Sequence, residues 1–389
     1  MKLVFDCRYT RFERHDGISR YTAELVTELA KLADVTMLIS DRRQLAMLPD
    51  LPWIMGVTPT SLREPWVSLT VNKVKPDVVF SPMQTMGSVG RKYRLIVTLH
   101  DLIYYRSPTP PRDFSWAVRA GWRVYHLSYL PIRMLLRRAD AVVTGSFTTR
   151  DEIHEAKLTD RDLTVVRSAV RPPAEPPRRK QPTGRELVYM GSFMPYKNVE
   201  TIARALHELP GYTLHLLSRG SDNDRARLTN IAPADSLVFH GGVNDAEYIA
   251  ALSSATALVS ASRDEGFGIP LVEAQAAGTP IVVSDIPVFH EVGGDAALFF
   301  DPDDPSALAA AILTLEEPGE WSKRSELGVA HAADFSWQES ARRLYELARR
   351  LTGDTAPVGD APVTGAPTAE NPTGRSTSSP RDALPHSGA

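Results

Sequence analysis

At 389 residues the chain exceeds one typical core of ~100–200 residues, so two domains with a cleft between them are expected. Its 43% hydrophobic and 23% charged content is ordinary for a chain that folds through most of its length, and a net charge of -3 argues against nucleic acid as the main partner. One cysteine, Cys7, lies in an apolar run, which excludes a disulfide framework or a cysteine-built metal site and points to a reducing, cytoplasmic setting. Asp6 and Arg8 interrupt that run before a signal-peptide core forms, and no apolar stretch reaches the ~18 residues that a bilayer span needs.

The first half alternates apolar runs at 3–7, 35–40, 77–81, 95–99 and 141–146 with helical patterns, the signature of a parallel sheet covered on both faces. Ile18, Tyr21, Leu25, Leu29 and Leu32 recur at spacings of three and four, one stripe of a helix opened by Gly17. Arg112, Arg119, Arg123, Arg133, Arg137 and Arg138 are interleaved with Trp116, Trp122, Tyr125 and Tyr129. An amphipathic helix with its aromatics in the core is the first reading of this stretch, interrupted by Pro131; a peripheral contact with an anionic membrane is the other.

RPPAEPPRRKQP at 171–182 can neither complete a ladder nor continue a helix, and the interdomain linker is placed at 173–182. Alternation restarts with runs at 187–191, 213–217, 237–239, 258–261, 281–284 and 297–300. An amphipathic helix is expected over 336–351, followed by a disordered tail over 352–389 rich in Pro, Ala, Thr, Ser and Gly. The predicted class is therefore α/β, with two Rossmann-like parallel-sheet domains over 1–172 and 183–335.

Ligands of open parallel sheets bind at the carboxyl ends of strands, where loops lead into helix N-termini. The densest such loop runs from Ser262 to Pro270, with Glu273 eight residues beyond Glu265. The segment EGFGIPLVEAQAAGTPIVVSD resembles the donor-binding segment of the retaining family 4 glycosyltransferases, and VYMGSFMPYKNVETIARAL, which contains Gly191, is similar to that family's strand, glycine turn and basic phosphate clamp.

The resemblance implies a metal-independent GT-B enzyme in which Glu265 contacts hydroxyls of the transferred sugar. Backbone N–H groups of Gly266, Phe267, Gly268 and Ile269 would meet sugar and phosphate oxygens, and Glu273 would hold the ribose diol. Lys197 would balance the donor diphosphate, Asn198 would cap the next helix beside the donor, and Val243 would flank the nucleotide base. His100 and Gly17 are carried over as contacts from the opposite domain, with Asp101 and Arg20 as lesser candidates. The family commonly has arginine where this sequence has Tyr196; Arg263 or Arg219 would have to substitute.

The resemblance covers 2–351, with the last helix returning to the first domain, and it gives the segment of His290 and Glu291 a structural meaning. It further implies front-face substitution with retention, from a nucleotide sugar to a hydroxyl acceptor. GDP-mannose is the first guess as donor and UDP-glucose the next; oligomeric state is not legible. Two acidic pairs, Asp222 with Asp224 and Asp301 with Asp303, are read as a helix cap and a proline turn rather than as metal ligands. A glycoside phosphorylase or sugar-nucleotide epimerase on the same fold is the alternative enzyme, and an inactive sugar-nucleotide-binding protein the alternative class. Neither half carries the Gly-x-Gly-x-x-Gly of a nicotinamide site.

Overall fold

The computed structural model describes residues 1–13, 15–110, 116–171, 177 and 180–354. The expected tail beyond 354, most of the linker and Arg112 lie outside the described residues.

The first lobe is a seven-stranded sheet built from β1 (Lys2–Asp6), β2 (Asp34–Ile39), β3 (Trp53–Met55), β4 (Val78–Ser81), β5 (Arg94–Thr98), β6 (Ala141–Thr144) and β7 (Asp162–Val165). Their order is β3-β2-β1-β4-β5-β6-β7, and every pairing is parallel. Two strands escape the apolar-run criterion. Trp53–Met55 is three residues long with its outer two exposed, and Asp162–Val165 buries only its last residue.

The second lobe is a six-stranded sheet of β8 (Glu186–Tyr189), β9 (Thr213–Leu216), β10 (Leu237–Phe239), β11 (Ala257–Ser260), β12 (Ile281–Ser284) and β13 (Leu298–Phe300), ordered β10-β9-β8-β11-β12-β13 and again parallel.

Both sheets reverse their winding beside an early strand, between β1 and β4 and between β8 and β11. Such switch points open a crevice at the carboxyl ends of the strands. The loops that lead to Gly17 and Lys197 leave β1 and β8, and the loop that carries Glu265 leaves β11.

Asp6 and Arg8 prove to be a buried pair at the first switch point, 2.7 Å apart. Arg8 also reaches Glu64 at 2.5 Å, and Ser81 Oγ donates to Asp6 at 3.2 Å. Burial pushes the Cys7 thiol up, which keeps it protonated.

Two helical features set the lobes' surfaces. Helix Trp337–Thr352 starts on the Ser336 cap and ends at Gly353 in the left-handed conformation, φ 74°. It packs on helix Gly17–Leu29 of the first lobe, with Trp337 edge-on to Tyr21 at 5.8 Å and Leu344 and Leu347 in the same core as Leu25 and Leu29. Each large side chain so buried contributes roughly 1.5–3 kcal/mol before entropy is counted. The basic aromatic stretch forms two helices, Trp116–His126 and Leu130–Leu136, with Pro131 in the first turn of the second.

Candidate active site

Lys197 closes the single-turn helix Pro195–Lys197 after β8, and Glu265 lies in the loop after β11. The Lys197 ammonium pairs with Glu265 Oε1, which also accepts from Ser262 Oγ at 3.0 Å. The two loops are tied together by backbone, with Arg263 N donating to Tyr196 O at 2.8 Å. This couples the position of the ammonium to that of the carboxylate.

Asn198 departs from the expectation. It sits in the left-handed region at φ 51°, buried, and its side chain makes no cap bond to the following helix. Its Nδ2 donates to Pro302 O at 2.7 Å and its Oδ1 accepts from Thr201 Oγ1 at 3.0 Å, so the amide ties its loop to that of Pro302.

The opposite lobe meets this loop closely. A side chain at Gly266 would place its Cβ 2.6 Å from His100 O and 2.9 Å from the Asp101 Cβ, a backbone approach that only glycine permits. Thr149 Oγ1 lies 3.5 Å from His100 O and 3.4 Å from Gly266 O.

His100 Nε2 lies 2.7 Å from Pro82 O, which as a carbonyl can only accept, so the proton is on Nε2 and Nδ1 is left as an acceptor. Burial lowers the His100 pKa, which keeps the ring neutral. Asp101 is pushed up to about 6, by burial first and by the nearby Glu265 and Asp264 charges after it, against a bond from Ile103 N. Arg106 of the first lobe forks onto Asp264 at 2.5 and 2.7 Å and onto Glu152 at 2.5 Å.

Gly268 takes φ 98° and starts helix Ile269–Ala276, with Pro270 in its first turn. Gly17, which starts the first helix on the Asp16 cap, lies opposite: the Ile269 Cδ1 is 3.6 Å from where a Gly17 Cβ would be. Phe267 is buried, edge-on to Phe335 at 5.8 Å.

Glu273, one turn into that helix, is partnered across the cleft by Arg20 at 3.5 Å, and Arg20 also binds Asp245 at 2.8 Å. Burial raises the Glu273 pKa while Arg20 and Tyr248 oppose the rise. Gly191 N donates to Ser218 Oγ at 3.1 Å, and the Tyr189 hydroxyl occupies the space a side chain there would take. Val243 lines a cavity of about 570 Å³ with Val188, Leu217, His240 and Gly242.

Both candidates for the second cation have partners of their own. Arg263 reaches Asp303 at 2.5 Å and Arg219 donates to Gly241 O at 3.2 Å; Tyr196 keeps its ring 5.5 Å from the Lys197 Nζ. The acidic pairs are engaged locally: Asp224 in a capping box with Ser221, and Asp301 accepting from Asp303 N at 2.9 Å.

Two residues that link the lobes, Arg106 and Glu291, were not legible as such, and Ser262 was legible only as the start of its loop. Ser262, three positions before Glu265, carried a local signal in its own loop. Arg106 and Glu291 act across the cleft, and Glu291 accepts from Phe147 N and Thr148 N at 2.9 Å each and from Thr148 Oγ1 at 3.0 Å. It thereby supplies a second-lobe carboxylate to the N-terminus of helix Phe147–Glu155.

Comparison with known proteins bears on the family and the fold. The model for Glycosyltransferase Family 4 matches residues 15–172 and that for Glycosyl transferases group 1 matches 171–330. The chain is similar to the O-antigen chain mannosyltransferase RfbU of Salmonella typhimurium, 27% identical over 315 residues that cover 77% of this chain and 87% of that protein. It is also similar to O-antigen chain mannosyltransferase B of Escherichia coli, 29% identical over 64% of this chain and 68% of that one. Glycogen synthase of Mycobacterium tuberculosis is 32% identical over 59% of either chain.

Among solved structures, sucrose-phosphate synthase from Thermosynechococcus elongatus has a TM-score of 0.70 at 18% identity, covering 91% of this chain and 100% of that one. HepE of Anabaena in complex with UDP-glucose has a TM-score of 0.70 at 16% identity, covering 90% and 100%. With two parallel-sheet lobes facing across a cleft and both family models matching in sequence, the chain is a GT-B enzyme that belongs to the family 4 glycosyltransferases.

Proposed function

We propose that the protein transfers a hexose from a nucleoside diphosphate sugar to a hydroxyl acceptor with retention at the anomeric carbon. The observation that carries the proposal is the Lys197–Glu265 pair, held by Ser262 and facing the loop of His100 and Asp101. In the free protein the ammonium and the carboxylate satisfy each other. With donor bound, Glu265 would accept sugar hydroxyl protons and Lys197 would stand on the diphosphate, where negative charge grows as the anomeric C–O bond breaks. The free N–H groups at the starts of helices Gly17–Leu29 and Ile269–Ala276 suit the same diphosphate, and Glu273 suits a ribose diol.

The acceptor oxygen forms the new bond to the anomeric carbon on the face the diphosphate leaves, and its proton passes to a departing phosphate oxygen. His100, neutral with Nδ1 free to accept, suits a hydroxyl of the transferred sugar. This reaction needs no protein nucleophile and no metal; positioning and charge neutralisation carry it. Mannose from GDP-mannose is favoured by the two O-antigen mannosyltransferases among the relatives, with UDP-glucose next.

The test is release of nucleoside diphosphate from a panel of GDP-, UDP- and ADP-hexoses, with and without chelator, against Glu265→Ala. Chelator-resistant release from one donor, absent in the variant, is the expected result. Release that needs a divalent ion, or that survives the substitution, rules the proposed chemistry out.

A further inference from the structure

We infer that the first lobe carries a docking face for an anionic lipid surface, formed by the outward stripe of helices Trp116–His126 and Leu130–Leu136. Trp116, Ala120, Val124 and Leu127 follow one another at helical spacings of four, four and three, so they share one face. That face points outward: Trp116 is 83% exposed, Val124 68% and Leu127 78%. Leu130 and Met134 continue the stripe on the second helix at 61% and 57%.

The opposite side of the first helix does what a core-facing side should. Trp122 packs edge-on to Tyr104 at 5.0 Å and His126 lies 4.9 Å from Tyr105, while Tyr129 lies 4.8 Å from Tyr105. The aromatics expected inside therefore split, with Trp122, Tyr125 and Tyr129 turned inward and Trp116 turned out. An apolar stripe that faces water on a helix already anchored by its other side signals a partner.

Charge identifies that partner. Residues 116–138 contain five arginines (Arg119, Arg123, Arg133, Arg137 and Arg138) and no Asp or Glu, on a chain whose net charge is -3. Arg123, Arg137 and Arg138 are exposed, and none of them forms an ion pair among the described residues. Apolar side chains flanked by unneutralised arginines match an anionic interface: the chains enter by about 5–10 Å and the guanidinium groups stay at the headgroups.

A second copy of the chain fits poorly. A twofold contact sets this face against itself, arginine facing arginine with no acid in the stretch to pair. No helix among the described residues is long and apolar enough to cross a membrane, so the contact is peripheral. The helix that carries the face is next to the loops of the proposed site, since Tyr104 meets Trp122 edge-on while Arg106, two residues on, grips Asp264.

The experiment is flotation of the full chain with vesicles of phosphatidylcholine alone or mixed with phosphatidylglycerol. Binding is expected only to the anionic vesicles and weakens as salt shortens the Debye length from about 8 Å at physiological strength to about 3 Å at 1 M. Each of Arg123→Gln, Arg137→Gln and Arg138→Gln should weaken binding roughly fivefold, and Leu127→Glu with Met134→Glu should abolish it. Thermal melting and vesicle-free donor hydrolysis should stay at the level of the unsubstituted chain in both sets, which separates this test from that of the donor chemistry. Absence of flotation, equal binding to neutral vesicles, or binding untouched by both sets overturns the inference. A monomer–dimer equilibrium abolished by Leu127→Glu, without flotation, reassigns the face to a second copy and overturns it too.

Discussion

Glu265 and Glu273 lie eight residues apart in one loop-helix segment, yet they are partnered from opposite sides of the molecule. Lys197 and Ser262, both of the second lobe, hold Glu265, whereas Glu273 is met by Arg20 of the first lobe. The carboxylate at the sugar end of the proposed site is thus held from within one lobe, and the carboxylate at the ribose end is held only where the two lobes face each other. Charge placed inside a lobe costs little reorganisation when a ligand arrives; charge shared across a cleft changes whenever the cleft does.

That contrast can be broken experimentally. The largest effect is expected from Lys197→Ala, which removes the cation from the leaving group: kcat should fall by about 10²–10³ with a small change in donor KM. A variant that loses donor affinity but keeps kcat would give Lys197 a binding role only. Gly266→Ala comes next, because its Cβ collides with first-lobe backbone at 2.6 Å. Activity should fall by about tenfold or more, on the order of 1–3 kcal/mol for forced overpacking, while the melting of the second lobe changes little. Unchanged activity would mean that the lobes need not approach this closely.

Glu273→Gln should raise donor KM by about tenfold while leaving kcat near that of the unsubstituted enzyme, as expected where uniform binding is lost. Arg20→Gln frees the same carboxylate from its cross-cleft partner and should lower the donor Kd measured by titration calorimetry; a higher Kd would make Arg20 a donor ligand and undo the contrast.

The smallest effect concerns Asp101. Its folded pKa of about 6 lies above the ordinary carboxylate value of about 4, so the folded state binds more protons between those pH values and stability falls as pH rises through that window. Asp101→Asn should reduce this slope and stabilise the protein at neutral pH by on the order of 1 kcal/mol, seen as a shallower fall of Tm between pH 4 and 6. A slope unchanged in the variant would assign the titration elsewhere.

The sequence announced what is local. Runs such as 141–143 and 281–283 are apolar throughout because strands covered on both faces must be, and the turn of Gly266, Gly268 and Pro270 between β11 and its helix carries its own backbone requirements. What is not local was silent. Arg106 meets Asp264 across 158 positions and Glu291 meets Phe147 across 144, and no residue type marks such a pairing in advance. Asn198 shows a subtler limit. Its type suits a helix cap, but a left-handed backbone directs its amide to Pro302 and Thr201 instead. Trp53–Met55 escaped because a three-residue edge strand, exposed on alternate positions, has too little apolar burial to mark it.

The clasp of the last helix has a consequence for recombination between relatives. Trp337–Thr352 follows the second lobe in sequence, yet its apolar face belongs to the first, against Tyr21, Leu25 and Leu29. A hybrid that exchanges second lobes at the linker and runs to the end of the donor chain would import a foreign helix onto a native surface. The cut that respects the packing is double, one at the linker and one just before Ser336, so that the graft is an insert rather than a tail.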